Sequence, residues 1–318
     1  MRVSSLAELA PTRTRAVVIN VGTDVVATLA VLSAARHVGP TLLVSCDPTE
    51  RSRAHFAGLD DEVPELDVLE APTLPHGRTL DALVDGLSDE RLLLLDSDAE
   101  IRGDGVVGRL QTALDDDPSA FGAGWTHGPF WLDERHHAPP TTVMYVERAW
   151  MPCVLFRAAP LRDARAAGCS FEDRRIPNDL GGWTGAGAFL ASRFGEPWGP
   201  PTRGYEHLPA AVRRRLAGRN LRGLRRLRRR YEGERPAIAY LDTGAEVFQH
   251  LVRERGMRFV GPSMELVDPL EVAHLDGVTR HEMADHLVGT VSQASVREQV
   301  VARLREGYDR DLEDAGLW

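Results

Sequence analysis

Arg91-Leu92-Leu93-Leu94-Leu95-Asp96-Ser97-Asp98 is the stretch that decides the fold. Four consecutive leucines after a charged turn predict a strand buried on both faces, as parallel strands covered by helices are. Two carboxylates two residues apart close the run. They stand just past the strand's C-terminal end, where open α/β sheets bind their ligands. Such a pair suits a hard divalent cation, because Mg²⁺ and Mn²⁺ prefer oxygen ligands and can bridge a diphosphate. A solvated acidic turn is the plainer reading of the same residues. The strand before it and the pattern around it favour the cation.

Working outward, the first half of the chain alternates strand and helix. Ala16 to Val21 predicts a β-branched strand, Gly22-Thr23-Asp24 a capped turn, and Val25 to His37 a helix stopped at Gly39-Pro40. Thr41 to Cys46 predicts a second strand, ending at Asp47-Pro48-Thr49, and Leu66 to Glu70 a short third one. His76-Gly77 introduces a helix over Arg78 to Leu87, and a further helix runs from about Asp104 to Leu114 after the leucine strand. This βαβ alternation predicts a mostly parallel sheet with right-handed crossovers.

The second half is less regular. Gly122 to Pro140 sets Trp125, His127, Phe130, Trp131, His136 and His137 among glycines and prolines. Pro152 to Arg157 predicts a strand, and Phe171 to Gly204 a long loop. Ala210 to Tyr231 predicts an Arg-rich helix, Ala237 to Leu241 a strand, Asp242-Thr243-Gly244 the opening of a helix to about Arg255, and Met257 to Val260 another strand. The tail from about His281 to Leu312 is amphipathic. Val291, Val296, Val300, Leu304 and Tyr308 fall at helical spacing, which predicts packing on the main domain.

A chain of 318 residues can bury a large core, and no apolar stretch approaches the ~20 residues that span a bilayer. Met1 to Pro11 has no basic segment followed by an apolar block, so no signal peptide is expected. Cys46, Cys153 and Cys169 lack metal-ligand spacing and point to a reducing compartment, so a cytoplasmic protein is the expectation. Net charge is −9, and every cation is arginine. Arg213 to Arg235 holds 11 arginines and two glutamates. That density suits an anionic partner, such as a membrane surface, a lipid pyrophosphate or an acidic face of the same protein. Pairing with patches such as Asp115-Asp116-Asp117 is the alternative, and no nucleic-acid-binding motif accompanies the cluster.

The order of these elements resembles a GT-A glycosyltransferase near the family 2 inverting enzymes, over roughly Ala16 to Thr279. The residues that carry the resemblance are Asp47 after the second strand, His76-Gly77 before a helix, Asp96-Ser97-Asp98, the Trp/Phe-rich segment, Asp242, and His274-Leu275-Asp276-Gly277. The acidic pair of that family reads Leu241-Asp242 here, and the interval to Gly256 is a few residues longer. The implied fold is α/β, with a GT-A (Rossmann-like) mostly parallel sheet, helices on both faces, an Arg-rich helical insertion and a C-terminal helical tail. The implied catalytic domain is 12–279, with a nucleotide-sugar half at about 12–118, an acceptor half at 119–279, the insertion at 205–235, and an extension at 280–318.

The resemblance implies roles residue by residue. Val21, Gly22, Thr23, Asp47, His76, Gly77, Asp96 and Ser97 would bind the nucleotide-sugar donor. Asp98, with Asp96 nearby and His274 as a third ligand, would hold Mn²⁺ or Mg²⁺ against the departing diphosphate. Asp242 would take the acceptor hydroxyl's proton, with Asp179 as runner-up and Asp173 third. A helix cap is the plainer reading of Asp242, and a structural histidine that of His274. Trp125, Phe130, Trp131 and Trp183 would offer faces for sugar stacking, or else pack the core. The implied acceptor is a small molecule, a glycan or a lipid-linked sugar, and dimerisation through the tail is a further expectation. Two other classes stay open. One is a sugar nucleotidyltransferase, which needs a Gly-rich cationic loop where Val21-Gly22-Thr23-Asp24 stands. The other is a non-catalytic nucleotide-sugar-binding module.

Overall fold

The computed structural model describes residues 1–126, 130–132, 143–177, 238–261, 272–274, 293–312 and 317. The Arg-rich segment, Asp179 and Trp183 lie outside them. The architecture is α/β. An eight-stranded sheet runs in the order β1-β4-β3-β2-β5-β10-β7-β13. Its strands are β1 (Arg2–Val3), β2 (Thr14–Asn20), β3 (Thr41–Cys46), β4 (Leu66–Ala71), β5 (Arg91–Asp96), β7 (Ala120–Thr126), β10 (Ala149–Arg157) and β13 (Arg258–Val260). All are mutually parallel except β10, which runs antiparallel to both β5 and β7. A short ribbon pairs β6 (Ala99–Ile101) with β14 (Val272–His274). A four-stranded sheet adds β8 (Phe130–Leu132), β9 (Val143–Val146), β11 (Arg174–Pro177) and β12 (Ile238–Leu241).

The leucine run is the spine of this sheet. Leu93 and Leu95 face one apolar cluster and Leu92 and Leu94 the other, none more than 5% exposed. Burial of each such side chain contributes about 1.5–3 kcal/mol. The first cluster lies under α1 (Asp24–His37), α2 (Glu50–Glu62), α4 (Val106–Asp116) and α7 (Gln293–Tyr308). The second lies under α3 (His76–Gly86), α5 (Ala158–Ala166) and α6 (Ala245–Gln249), which runs on into a π-helical turn at His250–Glu254. Helices therefore cover both faces, and the crossovers change face between β4 and β5.

α1 is apolar around its circumference, with Asp24 to Ala34 all buried. α7 explains this by lying across its outer side: Val300 and Leu304 join the same core cluster, and Arg36 stacks on Tyr308 at 4.1 Å while donating to the Gly307 carbonyl at 2.7 Å. The tail therefore packs where the pattern at Val300, Leu304 and Tyr308 placed it.

Several expectations need correction. Gly122 to Thr126, read as irregular, is the C-terminal part of β7. Gly122 fits because a Cβ there would come within 2.7 Å of the Phe156 ring and 2.8 Å of Phe259. Arg174–Pro177, read as loop, is strand β11, paired antiparallel with β12. α2 and α5 were not foreseen. α2 buries only Ser52, Phe56 and Leu59, too few to give an apolar period. Its signal was Thr49, whose hydroxyl caps Ser52 N–H at 3.1 Å, together with the need for a crossover between parallel β3 and β4.

Candidate active site

β2 is the strand from which the sheet order departs in both directions, with β3 on one side and β5 on the other. Open α/β sheets bind ligands in the crevice at such a switch point, beyond the strands' C-terminal ends. Ile19 stands opposite Asp96 in the parallel β2–β5 register, so the acidic turn and the Val21-Gly22-Thr23 turn leave the sheet side by side at that crevice. Asp96 lines a cleft there with Ile19, His76, Leu80 and Met151. β10 supplies Met151 because its reversed direction brings the start of the strand to the ends of its neighbours.

Asp98 lies on the other side of the turn. It is 5% exposed and lines a second cleft with Val26, Glu100, Arg102, Gln299 and Arg303. The backbone of His274 pairs with Ala99, the next residue after Asp98. The fold thus brings the Asp98 and His274 positions together from ends of the chain 176 residues apart, and sends Asp96 towards His76 instead. Among the described residues no group of three His, Cys, Asp or Glu side chains gathers to hold a metal ion. The donor type at Asp98, a hard carboxylate, suits a divalent cation, and the backbone of His274 pairs with the residue beside it.

The turn after β2 is held by a buried polar network that sequence reading missed. Asn20 Nδ2 donates to Asp24 Oδ1 at 2.7 Å, and Asn20 Oδ1 accepts from Thr23 N–H at 3.0 Å. Asp24 Oδ2 accepts from the Ser52 hydroxyl at the start of α2. Thr28 donates to the Asp24 carbonyl and meets His55 Nε2, both at 2.7 Å. Gly22 takes φ of 84°, a left-handed conformation that suits glycine and lets the chain double back between Asn20 and Thr23. The only sequence signal was the turn's capping pattern, because the partners at 52 and 55 come from the next helix.

Asp47 has φ of 42° and accepts from the Thr73 N–H at 3.0 Å, which ties the loop after β3 to the loop after β4. Those hydrogen bonds from Thr73 hold its carboxyl below the ordinary value of 3.8. It is exposed and ionised at the same edge as Asp96.

His76 and Gly77 form the first turn of α3 rather than preceding it. Gly77 is required by close approach, since a Cβ there would fall 2.4 Å from the Glu172 Cα and from the Phe171 carbonyl oxygen. That same carbonyl accepts from Gly244 N–H at 2.9 Å. Gly244, with φ of 78°, is the residue capping α6, and a Cβ on it would lie 3.5 Å from the Met151 sulfur. α3, the Phe171–Glu172 turn and the start of α6 are therefore clamped into one wall beside the Asp96 cleft.

Asp242 sits two residues ahead of Gly244 and does not cap α6. Its Oδ1 accepts from Thr243 N–H at 2.8 Å, and its Oδ2 accepts from Arg148 Nε at 2.9 Å and pairs with Arg148 Nη2 at 2.8 Å. Asp173, the third base candidate, accepts from the Tyr240 hydroxyl at 2.7 Å. Arg148 was not singled out in the sequence, and its pairing spans 94 residues. Beside it, burial raises the Glu147 carboxyl above its ordinary value of 4.5. Trp125 meets Trp150 with ring centroids 5.5 Å apart, so the aromatic edge of the site includes a second, unforeseen tryptophan.

No family model matches the chain. No curated protein matches it either. Solved structures with a similar arrangement include a mannosyltransferase from Pyrobaculum calidifontis, in complex with GDP-Man and Mn²⁺, at 13% identity and a TM-score of 0.37, covering 49% of each chain. A 4-diphosphocytidyl-2C-methyl-D-erythritol synthase matches at 16% identity and a TM-score of 0.35, over 49% of this chain and 80% of that one. Glucosyl-3-phosphoglycerate synthase from Mycobacterium tuberculosis, with phosphoglyceric acid, matches at 12% identity and a TM-score of 0.30, over 47% and 58%. Each superposition takes in about half of this chain, and at such scores none bears on its chemistry.

The chemistry must come from the crevice itself. A carboxylate and a histidine, Asp96 and His76, share the cleft at the β5 edge and can hydrogen-bond a ligand there. A second carboxylate, Asp242, is oriented by Arg148 just ahead of α6. The cleft itself is mostly apolar, with Asp96 and His76 as its polar groups.

Proposed function

We propose that this protein is a metal-dependent glycosyltransferase of GT-A type, which moves a sugar from a nucleoside diphosphate to a hydroxyl acceptor with inversion. The observation that carries the reading is the placement of Asp96-Ser97-Asp98 at the β2–β5 switch point, with the His274 position paired beside Asp98. Asp98 and His274 would hold the cation, with Asp96 at its margin. When bound, a divalent cation there would neutralise the charge that develops on the departing diphosphate. The Val21-Gly22-Thr23 turn and Asp47 border the nucleoside, and His76 faces the cleft from α3. Asp242 takes the acceptor's proton, with Arg148 fixing the carboxylate's orientation.

The sugar nucleotidyltransferase reading is disfavoured by one feature. β2 ends at Asn20 and α1 starts at Asp24, so Val21, Gly22 and Thr23 alone connect them, and no lysine or arginine stands among them. That turn is too short and uncharged to wrap a triphosphate.

The test is release of nucleoside diphosphate from a panel of nucleotide sugars with Mn²⁺, Mg²⁺ or EDTA, with Asp98→Ala in parallel. Slow, metal-dependent hydrolysis of one donor that is lost in Asp98→Ala supports the reading and names the donor. Pyrophosphate release from a nucleoside triphosphate and a sugar 1-phosphate would support the nucleotidyltransferase. Absence of metal-dependent binding of any donor would overturn both catalytic readings.

A further inference from the structure

Glu100 is a carboxylate in an apolar place. It lies in β6, two residues after Asp98, and is 2% exposed. A buried charge is tolerated only when it is paired and its lone pairs are satisfied. Here Arg303 of α7 forks onto it, with Nη2 at 2.6 Å from Oε1 and Nε at 3.2 Å from both oxygens. Arg102 Nε adds a bond at 2.7 Å to Oε2. The rest of β6 is fixed too. Ile101 N–H donates to the Ser33 hydroxyl of α1 at 3.2 Å, and Ala273 of β14 is the strand partner of Glu100. Arg303 also lines the cleft that Asp98 lines.

We infer that Arg303 is a positioning residue, which through Glu100 fixes the β6 segment and so sets where the Asp98 carboxylate stands. The inference rests on the glycosyltransferase reading for what Asp98 binds, but not for the clamp itself. Gln299, Val300 and Arg303 of α7 line the same cleft as Asp98. The helix's amphipathic face supplies the adhesion, through Val300 and Leu304, and Arg303 supplies the register. A guanidinium fork defines direction as well as distance, which a lysine would not do.

The test compares Arg303→Met with the double variant Glu100→Gln/Arg303→Met, in the full chain. In Arg303→Met, Glu100 keeps only the Arg102 bond; the double variant removes this half-satisfied buried charge, so its folding recovers while the fork stays absent. Arg305→Gln is the control, because Arg305 lies on the same helix and pairs with Asp311 at 2.9 Å. Mn²⁺ affinity in the presence of a nucleoside diphosphate is read from the free-ion magnetic resonance signal. Amide exchange of residues 98–101 is read by mass spectrometry.

The expected result is about tenfold weaker Mn²⁺ binding in both the single and the double variant, as is usual when a group orienting a metal ligand is removed. Faster exchange at 98–101 should accompany it, and Arg305→Gln should change neither. Mn²⁺ affinity restored in the double variant would reduce Arg303 to a folding role and overturn the inference, as would unchanged affinity and exchange in a folded Arg303→Met. A wild-type protein that binds no Mn²⁺ with any nucleoside diphosphate would instead sink the glycosyltransferase reading. The exchange at 98–101 would then still decide the clamp.

Discussion

Arg148 holds Asp242 side-on, with Nε and Nη2 reaching the same oxygen, Oδ2, at 2.9 and 2.8 Å. The other oxygen, Oδ1, takes the N–H of Thr243. The carboxylate is fixed in direction, and under the proposed function an acceptor hydroxyl would share Oδ2 with the Arg148 guanidinium or approach Oδ1 beside the Thr243 N–H. Charge-assisted bonds of this kind are strong enough to set geometry.

Asp242→Asn should therefore abolish proton acceptance while keeping the wall in place. Donor binding should persist, and turnover should fall by about 10²–10⁴, the usual contribution of a positioned base. Arg148→Gln should give a smaller loss, with the change in the acceptor's KM rather than in donor binding. Steady-state kinetics with both substrates varied would check it, and unchanged turnover in Asp242→Asn would remove Asp242 from the mechanism.

Asp96 and Asp98 face different clefts, so their substitutions should separate. Asp98→Asn should raise the metal concentration needed for half-maximal donor turnover by roughly tenfold or more. Asp96→Asn should act mainly on donor affinity, through the cleft shared with His76 and Met151. Metal titrations at saturating donor distinguish the two, and identical profiles would show that both residues act on one ion.

Gly77→Ala should destabilise the fold by about 1–3 kcal/mol, the usual cost of overpacking. Its Cβ would collide with backbone at Phe171–Glu172, which cannot rotate away. Thermal unfolding would show a lower Tm. The same change at Gly58, where a Cβ meets nothing within 4 Å, should be neutral or stabilising.

Burial holds the imidazoles of His55 and His37 below their ordinary value of 6.5. In the unfolded chain each takes up its proton near that value, so below it the unfolded state binds more protons than the native one. Stability from these residues is complete above about pH 6.5 and declines as the pH falls through it, towards their native values. The carboxylates held low, Asp47, Asp115 and Asp117, start from 3.8 and contribute only to a later loss. A first loss of Tm as the pH falls below about 6.5 should thus be reduced in His55→Gln, as scanning calorimetry over a pH series would report.

Much of the frame was legible because its strands are buried on both faces. Leu42–Val44 and the leucine run stand out as apolar stretches between turn signals. α2 and α5 were not, because helices that bury three residues each leave almost no period in the sequence. β7 was hidden by Gly122 and Gly124, whose value lies in aromatic and backbone neighbours from other strands. At the site, the carboxylates and the His274 position were visible as motifs. Their partners were not. Arg148, Ser52, Glu100 and Arg303 earn their places by contacts across 28 to 203 residues, which no local pattern records.

The one reversed strand, β10, has a bearing on how such a molecule can diversify. In a wholly parallel sheet, only the chain that leaves a strand reaches the binding edge. Here Ala149, where β10 begins, stands opposite Thr126, where β7 ends, so the chain both departs from and re-enters the sheet at that edge. Thr126 and Ala149, the two ends of the intervening stretch, are strand partners there. Changes in the length of the sequence between those two residues can be taken up without disturbing the register of β5, β10 and β7. The sheet edge can therefore vary while the leucine spine stays untouched.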